Sequence, residues 1–308
     1  MDYLKKYFKN FFSNPAERMA YLSILGVYNN MSDEEYLKKR FKLCVGYELN
    51  LDNPQTFNEK LQWLKIYDHK PEYTKMVDKY EVKKYVAEKI GEEYIIPTIG
   101  IWDSFYKISF DALPKQFVLK CTHDSGGIVI CKDKLEFDRK AAKKKLNKHL
   151  HRNYYWAHRE WPYKHVPPRI IAEKYMEDES GYELKDYKFF VFDGKVKAMF
   201  IATDRNAETE TCFDFFDADF NHLPFTNGHP NSKHKIGKPE NYEKMIELAE
   251  ILGEKIPQVR IDFYNINGKI YFGEITFFHW SGLQPFNPQE WDYTFGSWIQ
   301  LPHYLGDV

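Results

Sequence analysis

A chain of 308 residues with 43% hydrophobic composition has the material for one large domain or two to three small ones, which excludes disorder as its main state. A formal net charge of -1 excludes a broad basic surface, and with it general attraction to nucleic acid. Cys44, Cys121, Cys131 and Cys212 are widely separated and form no CxxC pair, so they fit structural thiols in a reducing compartment and carry no zinc signature.

The opening segment, Met1 to Phe12, mixes Lys5, Lys6 and Lys9 with Tyr3, Tyr7, Phe8, Phe11 and Phe12. A docked terminal helix is the preferred reading, and contact with an anionic membrane surface is the alternative. With no secretory signal and no apolar run long enough to span a bilayer, the chain is expected to be soluble and cytoplasmic, with peripheral association at the inner membrane face as the variant reading. Residues 1 to about 90 read as helical. Ser32 caps DEEYLKKRF, and Thr56 caps FNEKLQWLKIYD, with Glu59 three residues later. A third helix is expected to run unbroken through KMVDKYEVKKYVAEKI to a C-terminal glycine at Gly91.

Beyond Gly91 the texture changes. YIIPTIGIW and QFVLKCTHDSGGIVICKD suggest strands, the latter two joined by a glycine turn, and a helix through LEFDRKAAKKKLNKHL follows. Its lysine run reads as a solvated face. PRIIAEKYMED is a strand, KDYKFFVFDGKVKAMFIATD a hairpin turning at Asp193-Gly194, and VRIDFYNINGKIYFGEITFF a second hairpin at Asn267-Gly268, preceded by a helix through ENYEKMIELAEILGEK.

The strongest chemistry sits in that last hairpin. A two-residue turn at Asn267-Gly268 pairs Ile266 with Lys269 and sets Asp262 across from Gly273, leaving Asp262 and Glu274 on opposite faces. A longer turn, or a bulge between Tyr264 and Lys269, would put both on one face, where paired carboxylates favour a divalent cation such as Mg²⁺ with phosphate oxygens. Arg260 shares a face with Asp262 and suits either a phosphoryl group or a salt bridge to a neighbouring carboxylate. Lys120, followed by Ser125, Gly126 and Gly127, could cradle a phosphate, although no P-loop or GxGxxG pattern is present. Glu173 and Lys174 close an apolar strand, and Asp186 and Lys188 share a strand face.

Taken in order, Lys120 with His123 to Gly127, Glu173-Lys174, Lys188, and Arg260-x-Asp262 followed by Glu274-x-Thr276 resemble the ATP-grasp superfamily, and the final part is similar to D-alanine:D-alanine ligases. The set FNEKLQWLK, VDKYEVKKYV, KCTHDSGG, AEKY, DYKFFVFDGK and EITFFHWSGLQPF is similar to its teichuronopeptide-biosynthesis (TupA-like) branch, associated with bacterial surface polysaccharides. The resemblance implies an α+β ATP-grasp fold holding nucleotide between two lobes, with a helical N-terminal region over 1–95, a lid subdomain over 96–172 and a C-terminal subdomain with the metal site over 173–308.

By the same resemblance Lys79, Lys120 and Lys188 grip the phosphates of ATP, His123, Ser125, Gly126 and Gly127 form the lid loop, and Glu173 with the Lys174-Tyr175 backbone meets the nucleoside. Asp262 and Glu274 hold Mg²⁺, joined by Thr276, which stands where the superfamily usually has asparagine. Arg260 and Lys188 are the implied catalytic groups for a carboxylate–amine ligase working through an acyl phosphate, with an amino acid or amine and a sugar-acid or glycan carboxylate as substrates. His123, His279, Trp280 and Gln284 are candidate acceptor contacts, and the oligomeric state stays open. A glycosyltransferase using Asp217 and Asp219 as a DxD metal motif, an ATP-grasp-type phosphotransferase and a non-catalytic sugar-binding module are the competing readings.

Overall fold

The computed structural model describes residues 14–178, 184–204 and 210–302. The expected helix at Met1 to Phe12 lies outside them. The described chain opens with helices α1 (Pro15–Ile24), α2 (Asp33–Val45), α3 (Phe57–Tyr67), α4 (Glu72–Val77) and α5 (Val82–Ile90). Ser32 caps α2 through the Glu35 amide, and Thr56 and Glu59 complete a reciprocal capping box on α3. No described helix is long and apolar enough to cross a membrane.

The third expected helix is interrupted. Asp78 turns extended, and its Oδ1 accepts the amides of Tyr80 and Glu81 while Oδ2 takes Arg169 at 2.7 Å. Helical periodicity continued through this point, but an aspartate bonding its own downstream amides competes with the helical ladder. The break frees the Lys79 amide to donate to the Thr122 carbonyl at 3.1 Å, tying the helical region to the first sheet.

That sheet contains β1 (Thr98–Trp102), β2 (Phe117–Cys121), β3 (Ile128–Cys131) and β4 (Ile170–Lys174), all antiparallel in the order β1-β4-β2-β3. Helix α6 (Arg139–Leu150) inserts Ala142 and Leu146 into its small core with Phe117 and Leu119. A second antiparallel sheet, ordered β11-β10-β5-β6-β7-β8, is built from β5 (Asp186–Phe192), β6 (Lys195–Thr203), β7 (Cys212–Asp217), β8 (His222–Leu223), β10 (Val259–Ile266) and β11 (Lys269–Thr276). Short strands β9 (Thr226–Asn227) and β12 (Phe286–Asn287) pair beside it, with helices α7 (Tyr242–Leu252) and α8 (Glu290–Trp298) packed against the larger core. Every residue of β5 is buried, because both faces are covered.

Both expected hairpins form. Asp193-Gly194 and Asn267-Gly268 adopt positive φ at both turn residues, the conformation whose twist suits a two-residue hairpin. In the second, pairing follows strict register from Ile266↔Lys269 to Phe263↔Phe272; then Gly273 is bulged out and Asp262 pairs with Glu274. A bulge was one of the two routes to a shared face, but it lies beyond Phe263, not between Tyr264 and Lys269. Glycine suits it, since a Cβ at 273 would sit 3.0 Å from the Asp262 carbonyl oxygen.

Candidate active site

One extra residue in β11 thus converts an opposite-face pair into facing carboxylates, and β5 supplies the third member, with Lys188 paired to Asp262 across the β5–β10 ladder. Asp262 is fully buried. Its Oδ1 takes Arg260 Nε at 2.7 Å and its Oδ2 takes Arg260 Nη2 at 2.8 Å, while Lys188 Nζ also donates to Oδ2 and lies 3.3 Å from Asp186. Arg260 Nη2 reaches Glu274 Oε1 at 3.1 Å and Thr276 Oγ1 at 3.0 Å. Burial pushes the Glu274 carboxyl up, but Lys188, Arg260 and Lys79 outweigh it and hold it at about 2.

His279 anchors the same guanidinium. Asn227 gives its amide hydrogens to the carbonyls of Gln284 and Pro285, which turns its Oδ1 toward His279 Nε2 at 3.0 Å. The imidazole therefore carries its proton on Nε2 and accepts Arg260 Nη1 at Nδ1, 2.9 Å away. Burial, reinforced by Arg260 and Lys188, pushes its pKa well down, so it stays neutral.

A cavity of about 190 Å³ lies between the sheets, lined by Lys79, Lys120, Ser125, Gly126, Glu173, Lys188, Asp262 and Glu274 among others. Glu173 bridges two lysines, Lys83 at 2.5 Å and Lys120 at 2.7 Å. Burial pushes its carboxyl up, but the two ammonium groups outweigh it and draw it below its ordinary value. Lys79 Nζ donates to the Asp124 carbonyl at 2.9 Å, holding the glycine-rich loop to the helical region, and Asp124 takes the Ser125 amide and His149 on its carboxylate. A second cavity, about 670 Å³, shares Lys79, Ser125, Lys188 and Glu274 with the first and continues past Arg260 and Thr276 to His279, Trp280 and Gln284.

A family model described as TupA-like ATPgrasp matches residues 59–300. The chain belongs to the TupA-like ATP-grasp family. No curated protein matches it. Among solved structures it is similar to a D-alanine–D-alanine ligase from Bacillus anthracis complexed with ATP, at 17% identity over 65% of this chain and 53% of that chain, with a TM-score of 0.37. It is similar to the corresponding Helicobacter pylori ligase at 14% identity over 80% and 68%, TM-score 0.42. An N5-carboxyaminoimidazole synthetase from Staphylococcus aureus complexed with ADP matches at 14% identity over 80% and 51%, TM-score 0.37. The chain thus spans about half the length of the first and third of these.

Most residues expected at the nucleotide site of this TupA-like protein converge on the smaller cavity, but five stand elsewhere or are already engaged. His123 is buried behind the loop, where its Nε2 faces the carbonyls of His149 and Arg152, both at 3.1 Å, and burial lowers its pKa. Gly127 is a packing glycine, since a Cβ there would meet Cys121 Cβ at 2.9 Å. The Lys174 amide is spent on the Pro97 carbonyl; the Tyr175 hydroxyl donates to Glu177, which leaves the backbone role expected of Tyr175 untouched. The Thr276 hydroxyl accepts Arg260, as the Asp262 and Glu274 carboxylates do. These placements have one physical cause, because strand pairing and loop closure satisfy groups that a motif in isolation leaves open.

Sequence reasoning passed over Lys83. It lies four residues beyond Lys79, in the first turn of α5, and also donates to the Ile96 carbonyl at 2.7 Å, so a second lysine close behind Lys79 in VDKYEVKKYV was the available signal. The Asp217 carboxylate is committed to its own turn, accepting the amides of Asp219 and Asn221 and the Asn221 side-chain amide.

Proposed function

We propose that this protein is an ATP-dependent carboxylate–amine ligase working through an acyl phosphate, which joins an amino acid or amine to a sugar-acid carboxylate in cytoplasmic surface-polysaccharide synthesis. The observation that carries the reading is the junction of the two cavities at Lys79, Ser125, Lys188 and Glu274. A lysine-lined cleft suits a polyphosphate, and the larger cavity gives an acceptor access to the same charged groups.

Lys120 and Lys83, now held by Glu173, and Lys188, held by Asp262, exchange carboxylate partners for phosphate oxygens as ATP enters. Asp262 and Glu274 fit Mg²⁺: they face each other across a ladder, the cations beside Glu274 hold it ionised while burial pushes the Asp262 carboxyl up against the pull of Arg260 and Lys188, and magnesium takes one or two carboxylates with phosphates. That ion, when bound, supplies charge neutralisation to the transferring phosphoryl group. Among the described residues no cluster of three or more acidic, histidine or cysteine ligands exists, which suits a metal that needs nucleotide to complete its shell. Arg260, clamped by His279, presents a fixed guanidinium to the acceptor carboxylate and to the oxyanion that forms when the amine attacks. The Lys79–Asp124 tie holds the Ser125–Gly126 segment over the junction, where it limits hydrolysis of the acyl phosphate.

A phosphotransferase would use the same nucleotide groups with another acceptor. The glycosyltransferase reading is disfavoured by the engagement of Asp217. Titration with β,γ-imido-ATP and Mg²⁺ tests the assignment. Binding is expected to require magnesium, to be lost in Glu274→Ala and to persist in Asp217→Ala. Absence of binding, or a sugar-nucleotide preference that depends on Asp217, overturns it. Release of phosphate from ATP only when a carboxylate and an amine are both present separates ligase from phosphotransferase.

A further inference from the structure

The larger cavity carries two buried charges that the phosphate chemistry leaves unused. Arg40, on α2, is 2% exposed; Nη1 donates to the Ala16 carbonyl, Nε has no partner, and among the described residues no carboxylate forms an ion pair with it. Glu160 is 4% exposed. Its Oε1 accepts the Ser281 hydroxyl, while Oε2 receives no hydrogen bond and no described cation pairs with it. Both side chains line the cavity that reaches Lys188 and Glu274.

The neighbourhood explains why neither charge is satisfied from within. Lys65, the buried cation whose charge acts most strongly on Glu160, spends its three hydrogens on Gln62 Oε1 and the carbonyls of His158 and Ser281, at 3.0, 3.0 and 2.7 Å. With Gln62 it secures the left-handed turn at Trp280–Gly282 against α3, which fixes the cavity wall. Burial pushes the Glu160 carboxyl up, against the opposing pull of Lys65, the Ser281 hydroxyl and Arg260, none of which takes its Oε2. His158, on the same wall, is held neutral by burial and by Arg40, Lys65 and Arg152, so it does not supply a counter-charge. A buried unpaired charge is costly, and two of opposite sign in one cavity match a ligand bearing the reverse pair.

We propose that Glu160 and Arg40 form the amine-substrate subsite, Glu160 receiving an ammonium group and Arg40 a carboxylate, so that the amine joined is a free α-amino acid. The assignment rests on the ligase reading only for calling this ligand the nucleophile; the subsite is defined by its charges. Neither residue belongs to the motifs that mark the nucleotide site, because each acts through an isolated side chain set in a helix or loop far away in sequence.

The test is calorimetric titration of the full chain, alone and with Mg²⁺ and ADP, with each of the twenty standard L-amino acids and then with the decarboxylated amine and N-acetyl derivative of any that binds. At least one amino acid is expected to bind, with both derivatives weaker by about 30-fold or more, the penalty of leaving one buried charge unpaired. Glu160→Gln and Arg40→Gln are expected to weaken the amino acid by a similar factor, and Arg40→Lys by less. Binding of β,γ-imido-ATP by each variant verifies its fold. The proposal is overturned if no amino acid binds in either nucleotide state, if an amine or N-acetyl acid binds as tightly as its parent, or if Glu160→Gln binds like wild type. Failure of nucleotide binding in the wild type, with amino-acid binding intact, overturns the ligase reading and leaves the subsite standing.

Discussion

Replacing Arg260 by methionine keeps the bulk of the side chain and removes five hydrogen bonds, two of them to a carboxylate with no solvent exposure. Asp262 is left with Lys188 alone. Breaking a buried ion pair from one side costs about 3–5 kcal/mol, and the retained Lys188 places the expectation toward the lower end, at about 3 kcal/mol. The Glu274 contact adds little, because that side chain is 44% exposed and solvent screens it. With a urea slope of about 3 kcal/mol/M for a chain of this size, the denaturation midpoint falls by about 1 M, followed by tryptophan fluorescence and far-UV circular dichroism. Arg260→Met with Asp262→Asn should recover part of that loss, because the unpaired charge disappears with its partner. A midpoint lowered by less than about 0.3 M, or a double variant as unstable as the sum of the singles, refutes the view that charge pairing governs this site.

Glu274→Gln should flatten the acid limb of the stability profile. The folded carboxyl titrates at about 2 against an ordinary 4.5, so its stabilisation is present above 4.5 and lost as pH falls toward 2; melting temperatures across that range should drop less in the variant, by a modest amount given its exposure. Gly296→Ala drives a Cβ to within 2.2 Å of the Gln55 carbonyl oxygen and 2.7 Å of the Phe57 amide, both backbone atoms, and should cost about 3 kcal/mol or more by urea denaturation. Gly237→Ala, with nothing within 4 Å, should stay within about 0.5 kcal/mol of wild type, and a comparable loss there would undo the steric argument. Lys83→Met should weaken β,γ-imido-ATP binding by about tenfold or more, as expected for losing a charge-assisted contact; unchanged affinity would remove Lys83 from the nucleotide site.

Much was legible because it is local. The Ser32 and Thr56 caps and the Asn267-Gly268 turn each depend on residues within a few positions, where backbone sterics and short-range hydrogen bonds dominate. Lys120, Lys188, Glu173, Asp262 and Glu274 could be nominated because their residue types, in that order, matched a family pattern. The interruption at Asp78 was hidden by sound helical periodicity, since the Arg169 contact that supports it lies 91 positions away.

What the sequence determined by itself was the helix caps, the two hairpin turns, the superfamily and the candidate charges. The tertiary structure decided which of those charges meet. The Gly273 bulge turned Asp262 and Glu274 to one face, the Pro97 carbonyl ahead of β1 took the Lys174 amide, and loop closure buried His123. It also set Arg40 and Glu160 in one cavity across 120 residues of chain. The physical reason is that side-chain periodicity constrains only the face of an element. Partners, register shifts and unpaired buried charges arise when separate elements pack, and that information lies in their joint geometry.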